Sequence, residues 1–293
     1  FEWGRTVIIK QVINNNVVFV SDDRGQELVL MGKGIGFGKK SGERAEEDKI
    51  EKMFTRFDGK QISNFKRLAE EIPYEYMHMT KEIVEYAQLS LGKELDENIY
   101  IALMDHLSFA VSRLRQGLLL KATMLWEIKH YYNHEYRIGV EAIEIVKRYT
   151  GLNMPIDEAG FIAMHILNAE LNLDMGLSNT MLRIIQDVLN IIKYHFQIVI
   201  DEDSLDYERF ITHLKFFVQR TMHDQKSKMW DRELMKMIQS QYSDAYACAK
   251  KVAEYILKTT PFDVPEEEMM YLTVHIQRLN HASQKIADIK EGQ

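Results

Sequence analysis

HLSFAVSR, at residues 106–113, recurs as HLKFFVQR at residues 213–220. The two stretches share histidine, leucine, phenylalanine, valine and arginine at the same offsets. A second set of residues recurs at a similar constant spacing: Thr150, Pro155, Glu158, His165 and Ile166 return as Thr260, Pro265, Glu268, His275 and Ile276. Self-similarity at a fixed spacing indicates a duplicated structural unit, so we expect two copies of one domain.

Both copies have the hydrophobic periodicity of helices. From about Gln61 to about Ala282, apolar residues recur at steps of three and four residues. The predicted helical segments include residues 96–114, 138–149, 157–172, 182–196 and 266–279. Pro155 and Pro265, each followed by acidic residues, indicate the first turns of two of these helices. All four repeated histidines therefore lie on helices, at or beside the buried stripe.

A small β unit precedes the helices. Residues 7–13, 17–21, 27–31 and 50–54 read as short strands, with turns predicted at the asparagines 14–16 and at Asp22 to Gly25. The expected fold is multidomain: a small N-terminal antiparallel β-sheet followed by two homologous all-α helical-bundle domains. We place the boundaries at residues 1–60, 66–174 and 175–288. Because a lone four-stranded sheet of this size is marginal, we expect it to dimerise through one face.

Composition excludes several classes of protein. Apolar residues form 46% of the 293 and charged residues 28%, as in an ordinary soluble protein. The lone Cys248 rules out an internal disulfide and Cys-rich zinc frameworks, and favours a reducing compartment. No apolar run approaches the length of a membrane span, so we expect a cytoplasmic protein without direct membrane insertion.

The net charge of −7 is divided unevenly along the chain. Residues 1–56 contain ten Lys or Arg and nine Asp or Glu, a net of +1, and the remainder contains 27 and 35, a net of −8. A polyanionic partner would therefore meet the N-terminal part.

Three interpretations of the repeated histidines stay open. A histidine on an apolar face is commonly a hydrogen-bonded core residue. A metal site is a second option, but the HxxxH pair His130 and His134 includes none of the four, and no HExxH is present. The third is phosphoryl acceptance, because neutral imidazole is a nucleophile at pH 7 and the added phosphate charge can reposition domains. No serine or cysteine stands in a strand-to-helix elbow, so we expect a switch without cofactor or metal, not an enzyme.

The glycine-rich stretch at residues 32–38 has two interpretations. The spacing of a phosphate-binding P-loop fails, because Lys39 stands where the second glycine is required. Backbone amides, asparagine edges, Lys33 and Phe37 are groups that read RNA loops and distorted helices. The same composition also fits an ordinary turn with Phe37 in a core.

The sequence as a whole resembles one known family. VINNNV at 12–17, MGKGIGF at 31–37 and IEK at 50–52 resemble the N-terminal RNA-binding domain of bacterial BglG/SacY/LicT-type transcriptional antiterminators. DH at 105–106 and EAGFIAMH at 158–165 resemble that family's first phosphotransferase-system regulation domain, or PRD, and the second copy resembles its second PRD. The resemblance covers nearly the whole chain in the same order.

The resemblance implies both a function and its control. Such proteins bind, as homodimers, an antiterminator hairpin in a nascent leader transcript and prevent the overlapping terminator from forming. The four histidines, His106, His165, His213 and His275, would be phosphorylation sites. A sugar-specific enzyme II permease would act on the first pair and silence the protein, and the carrier HPr would act on the second pair and activate it.

The resemblance also implies a set of RNA-contacting residues: Asn14, Asn16, Gly32, Lys33 and Phe37, with Lys10 as a phosphate contact. The chain departs from the family at Lys33, where arginine is frequent, and at Gly38, where Gln or Asn is frequent. Lysine lacks the planar bidentate fork of arginine.

Two other functions remain open at this point. One is a DNA-binding regulator that uses the same phosphate-sensing domains, which the absence of a predicted helix-turn-helix before the repeat disfavours. The other is a metal-dependent hydrolase with a histidine cluster.

Overall fold

The computed structural model describes residues 7–21, 25, 27–55, 57, 59–172, 175–222, 232–260 and 263–291. The chain divides into two compact units, Phe1–Met175 and Gly176–Gln293. The first unit contains the sheet and the first helical copy, and the second contains the second helical copy.

The N-terminal sheet is the predicted antiparallel meander. Its strands are β1 (Ile8–Asn14), β2 (Val17–Ser21), β3 (Glu27–Met31) and β4 (Lys52–Phe54), in the order β1-β2-β3-β4. The asparagine turn is confirmed, with Asn15 and Asn16 between β1 and β2, whereas residues 22–24 of the second predicted turn lie outside the described residues. The last strand begins two residues later than expected, because Glu47–Lys49 forms a short 3-10 turn just before it.

On β2 and β3, residues of both faces of the sheet are buried. One face forms a small core in which Val18, Val20, Leu28 and Leu30 pack with Ile35. The alternate residues of β2 and β3 are buried as well: Val17, Phe19, Val29 and Met31.

On β4, the ring of Phe54 lies 5.1 Å from that of Phe65 and 5.0 Å from that of Tyr100, both on helices of the first unit. Helices of the first unit therefore cover the sheet at β4, and dimerisation of the sheet through one face stays a prediction.

Eleven described helices follow. Those that begin in the first unit are α1 (Gly59–Glu71), α2 (Tyr74–Leu91), α3 (Asn98–Arg115), α4 (Leu125–Tyr131), α5 (Asn133–Thr150), α6 (Ile156–Leu171) and α7 (Met175–Phe196). The remaining helices are α8 (Leu205–Met222), α9 (Arg232–Gln241), α10 (Ser243–Thr259) and α11 (Glu266–Glu291).

The helix bounds reproduce the sequence repeat. Helix α3 begins at residue 98 and α8 at residue 205. The same interval separates the first histidines of the two copies, at 106 and 213. Helices α5 and α6 begin at residues 133 and 156, and α10 and α11 begin at residues 243 and 266. Both intervals equal the one between the second histidines, at 165 and 275. The prediction of a small β-sheet followed by two homologous helical domains is therefore confirmed.

Close packing of α5 on α6 positions the site of the first copy. A Cβ atom at Gly139 would come within 2.1 Å of the Ala159 carbonyl oxygen, so only glycine allows the two backbones to approach this closely. Pro155 precedes the first helical residue, Ile156, in an extended conformation, one position earlier than its predicted place in the first turn. This start sets Glu158 in the first turn of α6 and His165 two turns further on.

Candidate functional site

The first histidine pair joins α3 to α6. The imidazole rings of His106 and His165 lie 4.9 Å apart between centroids, with their planes tilted by 47°. The ring of Phe161 lies 5.9 Å from that of His106, one helical turn before His165. The two repeated motifs of this copy therefore meet in space, although neither motif alone specifies the contact.

A buried carboxylate holds the first histidine of this pair. Glu158, whose side chain is only 4% exposed, places Oε2 3.0 Å from Nε2 of His106 and accepts at Oε1 a hydrogen bond of 3.0 Å from Arg113. Burial raises the pKa of Glu158, but the hydrogen bond from His106 and then the contacts with Arg113 outweigh it and hold the pKa below its ordinary value. Since a carboxylate only accepts hydrogen bonds, Nε2 of His106 carries the proton, and the lone pair of the neutral ring is at Nδ1.

His165 is held in the neutral form. Burial, and then the neighbouring His106, lower its pKa to about 3. Desolvation disfavours the charged imidazolium, and a second imidazolium at this distance would add repulsion. The ring of His165 is therefore uncharged throughout the physiological pH range.

The second histidine pair joins α8 to α11 in the same way. The ring centroids of His213 and His275 lie 5.0 Å apart with their planes within 19°, and the ring of Tyr271 lies 4.9 Å from that of His213. Burial, then His213, lowers the pKa of His275 to about 4. Tyr271 holds the place in the second copy that Phe161 holds in the first, four positions before the second histidine, so an aromatic ring flanks the first histidine in both copies.

The carboxylate of the second copy is shared differently. Glu268 accepts two hydrogen bonds from Arg220 at the same oxygen, Oε1, from Nη2 at 2.5 Å and from Nε at 3.1 Å. Its other oxygen lies 3.4 Å from Nε2 of His213, longer than the 3.0 Å of the first copy. Burial raises the pKa of Glu268, and His213 and Arg220 together lower it below the ordinary value.

Sequence reasoning missed the glutamate and arginine of each site. Glu158 and Glu268 appeared among the repeated residues, but they were interpreted only as acids at helix starts. Arg113 and Arg220 were noted only as identical residues of the repeat. Their recurrence was the signal, because charged residues that repeat among varying apolar neighbours mark a shared polar contact.

Five of the six predicted RNA-contacting residues lie at the end of the sheet where β1 turns into β2 and β3 leads into the glycine-rich loop: Asn14, Asn16, Gly32, Lys33 and Phe37. Lys10 lies further back in β1, beside Ile9, which pairs with Val20. Lys10, Lys33 and Phe37 are exposed, and the ring of Phe37 is 71% accessible. An aromatic ring this exposed is not part of a core, which removes one of the two interpretations of this loop. Lys39, in contrast, is engaged with Glu46 at 2.7 Å.

The two asparagines lie beneath this loop. The amide of Asn14 donates to the Ala69 carbonyl at 2.6 Å, and its oxygen accepts from the backbone of Asn16 at 2.8 Å. The oxygen of Asn16 accepts from the backbone of Gly34 at 2.9 Å. Both side chains are half-buried and fix the turn and the loop to each other.

Gly32 has a steric role. A Cβ atom there would stand 1.7 Å from the Lys49 carbonyl oxygen, so the chain crosses at this point only because the side chain is absent. Gly34 and Gly38 have φ values of 72° and 69°, a left-handed conformation that favours glycine. The glycine at position 38, where the family often has Gln or Asn, therefore suits the local backbone conformation.

A metal site and a membrane span are both absent from the part of the chain that the structure describes. Within the described ranges, no group of three or more His, Cys, Asp or Glu side chains is arranged to hold a metal ion. None of the described helices is long and apolar enough to cross a membrane.

These features define a modular protein in which one part exposes a loop with lysine and aromatic side chains and two related parts each bring a pair of histidines together beside a buried carboxylate. The PRD domain family matches residues 81–169 and 186–279, and the CAT RNA binding domain family matches residues 7–62. The chain therefore belongs to the transcription antiterminators that combine a CAT RNA-binding domain with PRD domains.

Individual relatives agree with this membership. The transcription antiterminator LicT of Bacillus subtilis is 46% identical over 272 residues, which cover 92% of this chain and 98% of the relative. The beta-glucoside operon antiterminator of Dickeya chrysanthemi is 36% identical over 277 residues, covering 94% and 98%. Among solved structures, GlcT CAT-PRDI matches with a TM-score of 0.52 at 37% identity and covers 56% of this chain and 98% of its own. The resemblance identified from the sequence is confirmed, and the family is one of regulators.

Proposed function

We propose that this antiterminator senses a sugar through histidine phosphorylation and binds, as a homodimer in the cytoplasm, a hairpin in a nascent leader transcript. Residues 1–60 would contact RNA, and residues 66–174 and 175–288 would receive the signal. The observation that carries the proposal is the repeated buried constellation of two imidazoles, a carboxylate and an arginine in both helical copies.

The chemistry suits reversible phosphoryl transfer between histidines. A lone pair of a neutral imidazole attacks the phosphorus of a donor phosphohistidine, a new N–P bond forms, and the donor's N–P bond breaks. The proton lost by the attacking ring is balanced by the one the released donor ring takes up. No external base is needed, because His165 and His275 are neutral at pH 7.

Phosphorylation would disturb the surroundings of each pair. A phosphoryl group adds about −1.5 to −2 charges at pH 7. In the first copy this charge would arrive on an imidazole next to Glu158, whose pKa is already lowered, and would compete with that carboxylate for Arg113. The contact between α3 and α6 would then rearrange, which is how a local charge becomes a change in domain packing.

The proposed phosphoryl donors are HPr and a sugar-specific enzyme II permease. We assign His106 and His165 to inhibition by the permease and His213 and His275 to activation by HPr. A beta-glucoside operon is the first to test, because one relative is named for it.

Transfer from purified HPr and enzyme II to His→Ala variants of the four positions tests this proposal. Each variant should lose the phosphate at its own position, detected by mass spectrometry of intact peptides under alkaline conditions. His130→Ala is the matched control, since His130 is exposed and lies outside both pairs. If none of the four accepts phosphate from either donor, the signalling mechanism is wrong.

For the RNA site, we propose that Lys10, Lys33 and Phe37 contact the hairpin and that Asn14, Asn16 and Gly32 hold the loop for them. Replacing Lys33 by alanine should lower the affinity about tenfold and reduce the slope of log affinity against log salt by about one phosphate. Lys40→Ala, also exposed, is the control. Gel shifts at several salt concentrations measure both quantities, and an unchanged slope would exclude a phosphate contact by Lys33.

A further inference from the structure

One side chain links the RNA-contact loop to the first regulatory domain. Glu51 directly precedes β4 and is 27% exposed. Its Oε1 accepts a hydrogen bond of 3.1 Å from the backbone amide of Lys33, in the glycine-rich loop. Its Oε2 accepts a hydrogen bond of 2.9 Å from the hydroxyl of Tyr74 and lies 3.1 Å from Nε2 of His78, both on α2. The two oxygens of one carboxylate therefore serve two different domains.

The backbone of Glu51 is fixed to the sheet. Its amide donates to the Met31 carbonyl at 2.9 Å, at the point where β3 leads into the loop. Gly32 crosses Lys49 directly beside it, with no space for a side chain. Because the backbone is anchored on both sides, the remaining freedom of Glu51 is in its side chain, and the contacts at Oε2 decide where that side chain points.

The groups on α2 are suited to hold the carboxylate. Tyr74 is the first residue of α2 and His78 lies one turn later, so both face the same side of the helix. Burial, together with the hydrogen bond to Glu51, raises the pKa of Tyr74 well above its ordinary value. Tyr74 is thus a phenol and a hydrogen-bond donor at every physiological pH.

The same contacts continue into the first regulatory domain. Nδ1 of His78 lies 3.2 Å from the hydroxyl of Tyr149, near the end of α5, and that hydroxyl donates to Glu82 at 2.9 Å. Helix α2 also packs against α3, the helix of His106, and shortly after Thr150 the chain enters α6, the helix of Glu158 and His165. A displacement of α2 relative to the sheet would therefore act directly on Glu51.

We propose that Glu51 is a positioning residue for RNA binding, which holds the loop through the amide of Lys33 and is itself held by Tyr74 and His78 of the first regulatory domain. The inference rests on the proposed role of residues 32–38 in RNA contact. Glu51 touches no RNA in this scheme and acts through the loop. Loss of its partners on α2 loosens the loop although the loop sequence is unchanged.

The test uses the full chain with Glu51→Ala, Glu51→Gln, Tyr74→Phe and the double variant Glu51→Ala/Tyr74→Phe. Tyr86→Phe is the control, because it makes the same substitution on the same helix at a residue that is 40% exposed. The primary measurement is hydrogen exchange at the Lys33 amide, and the second is affinity for a leader hairpin. Thermal unfolding of each variant reports separately on stability.

In Tyr74→Phe, exchange at the Lys33 amide should rise and RNA affinity should fall, each about three- to tenfold. Glu51→Gln should lie between wild type and Glu51→Ala, since its amide oxygen still accepts from Lys33 while its NH₂ group turns towards α2. The double variant should behave like Glu51→Ala alone, because both changes remove the same connection.

Three results would overturn the inference. Tyr74→Phe and Tyr86→Phe could show the same exchange rate at the Lys33 amide, or the effects of Glu51→Ala and Tyr74→Phe could add in the double variant. The third is a lowered melting temperature with no change in exchange at the loop. A failure of the proposed RNA contacts would look different. Lys33→Ala and Phe37→Ala would then leave RNA affinity unchanged, whereas the exchange measurement would still report whether Tyr74 holds the loop through Glu51.

Discussion

In the first helical copy the buried carboxylate is divided between two partners, and in the second it is committed mainly to one. Glu158 faces His106 with one oxygen and Arg113 with the other, each at 3.0 Å. Glu268 receives both of its hydrogen bonds from Arg220 on one oxygen, while His213 lies 3.4 Å from the other. The same three residue types (His, Glu and Arg), at the same places in the repeat, therefore restrain the first histidine to different degrees.

Two copies of one domain can therefore respond unequally to the same chemistry. A charge-assisted hydrogen bond fixes both the orientation and the tautomer of an imidazole, so His106 must give up a strong contact before it rotates or changes tautomer. The contact of His213 with Glu268 is longer and therefore weaker, so less is lost when this ring rotates. We expect the first copy to be the more restrained histidine site and the second the more responsive one, apart from any preference of the phosphoryl donors.

The largest effect should come from replacing the carboxylate by an amide. Glutamine offers one acceptor and one donor group, so in each copy its oxygen can keep the arginine while its NH₂ faces Nε2 of the first histidine. The contact that is lost is 3.0 Å long at position 158 and 3.4 Å long at position 268, so the first copy loses more. Glu158→Gln should cost about 3 kcal/mol of unfolding free energy, and Glu268→Gln about 1 to 2 kcal/mol. Denaturant unfolding of the full chain, with hydrogen exchange to assign each transition to a unit, measures both.

Glu266→Gln is the matched control for this pair, because Glu266 is exposed at the start of the same helix as Glu268. It should change the unfolding free energy by less than about 0.5 kcal/mol. Equal losses at positions 158 and 268 would remove the distinction between a shared and a committed carboxylate.

Acidification should destabilise both copies through their second histidines. His165 and His275 have folded pKa values of about 3 and about 4, below the ordinary 6.5, so between these values the unfolded chain binds protons that the folded chain does not. Their contribution to stability is complete above pH 6.5 and falls by about 1.4 kcal/mol per pH unit for each histidine as the pH decreases. Unfolding at pH 7, 6 and 5 measures the slope.

The variants His165→Gln and His275→Gln separate the two copies. Each should flatten the pH slope of its own unit and leave the other unchanged. Between pH 4 and pH 3 the slope of the second copy should end first, because His275 becomes protonated in the folded state before His165 does. A slope that persists in His165→Gln would assign the pH dependence of the first unit to other groups.

Sequence reasoning predicted the β-meander, the duplicated helical domains and the presence of a histidine on each repeated helix. These features depend on local periodicity, turn residues and repetition, which a single chain displays directly. The partner of His106 could not be found this way, because Glu158 lies far along the chain (158 against 106) and the contact depends on how α3 packs against α6. The contact of β4 with the helices was missed for the same reason: the rings that meet Phe54 belong to the helical region of the first unit.

A small phosphoryl donor should reveal the difference in restraint without the selectivity of protein donors. Phosphoramidate transfers its phosphoryl group to histidine and releases ammonia, with no docking surface involved. We expect His213 to be labelled about tenfold faster than His106, which corresponds to the loss of one charge-assisted hydrogen bond. Peptide mass spectrometry over time measures the two rates, with exposed His130 as the reference for a ring outside both pairs. Faster labelling of His106 would reverse the assignment of the restrained copy.

The smallest effect should come from exchanging arginine for lysine in the two sites. Arg220 uses two nitrogens on Glu268, whereas Arg113 uses Nη2 on Glu158, and its Nε has no hydrogen-bond partner among the described residues. Lysine supplies a single compact ammonium group, which can replace one such bond but not a pair from one guanidinium. Arg220→Lys should therefore cost about 1 kcal/mol of unfolding free energy and Arg113→Lys less than about 0.5 kcal/mol. This order is opposite to that of the glutamine variants, where the first copy is the more sensitive. If one copy were simply packed less well, it would be the more sensitive copy in both series of variants. A reversed order of the two copies therefore attributes each effect to the way its carboxylate is shared. The same order in both series would contradict that explanation.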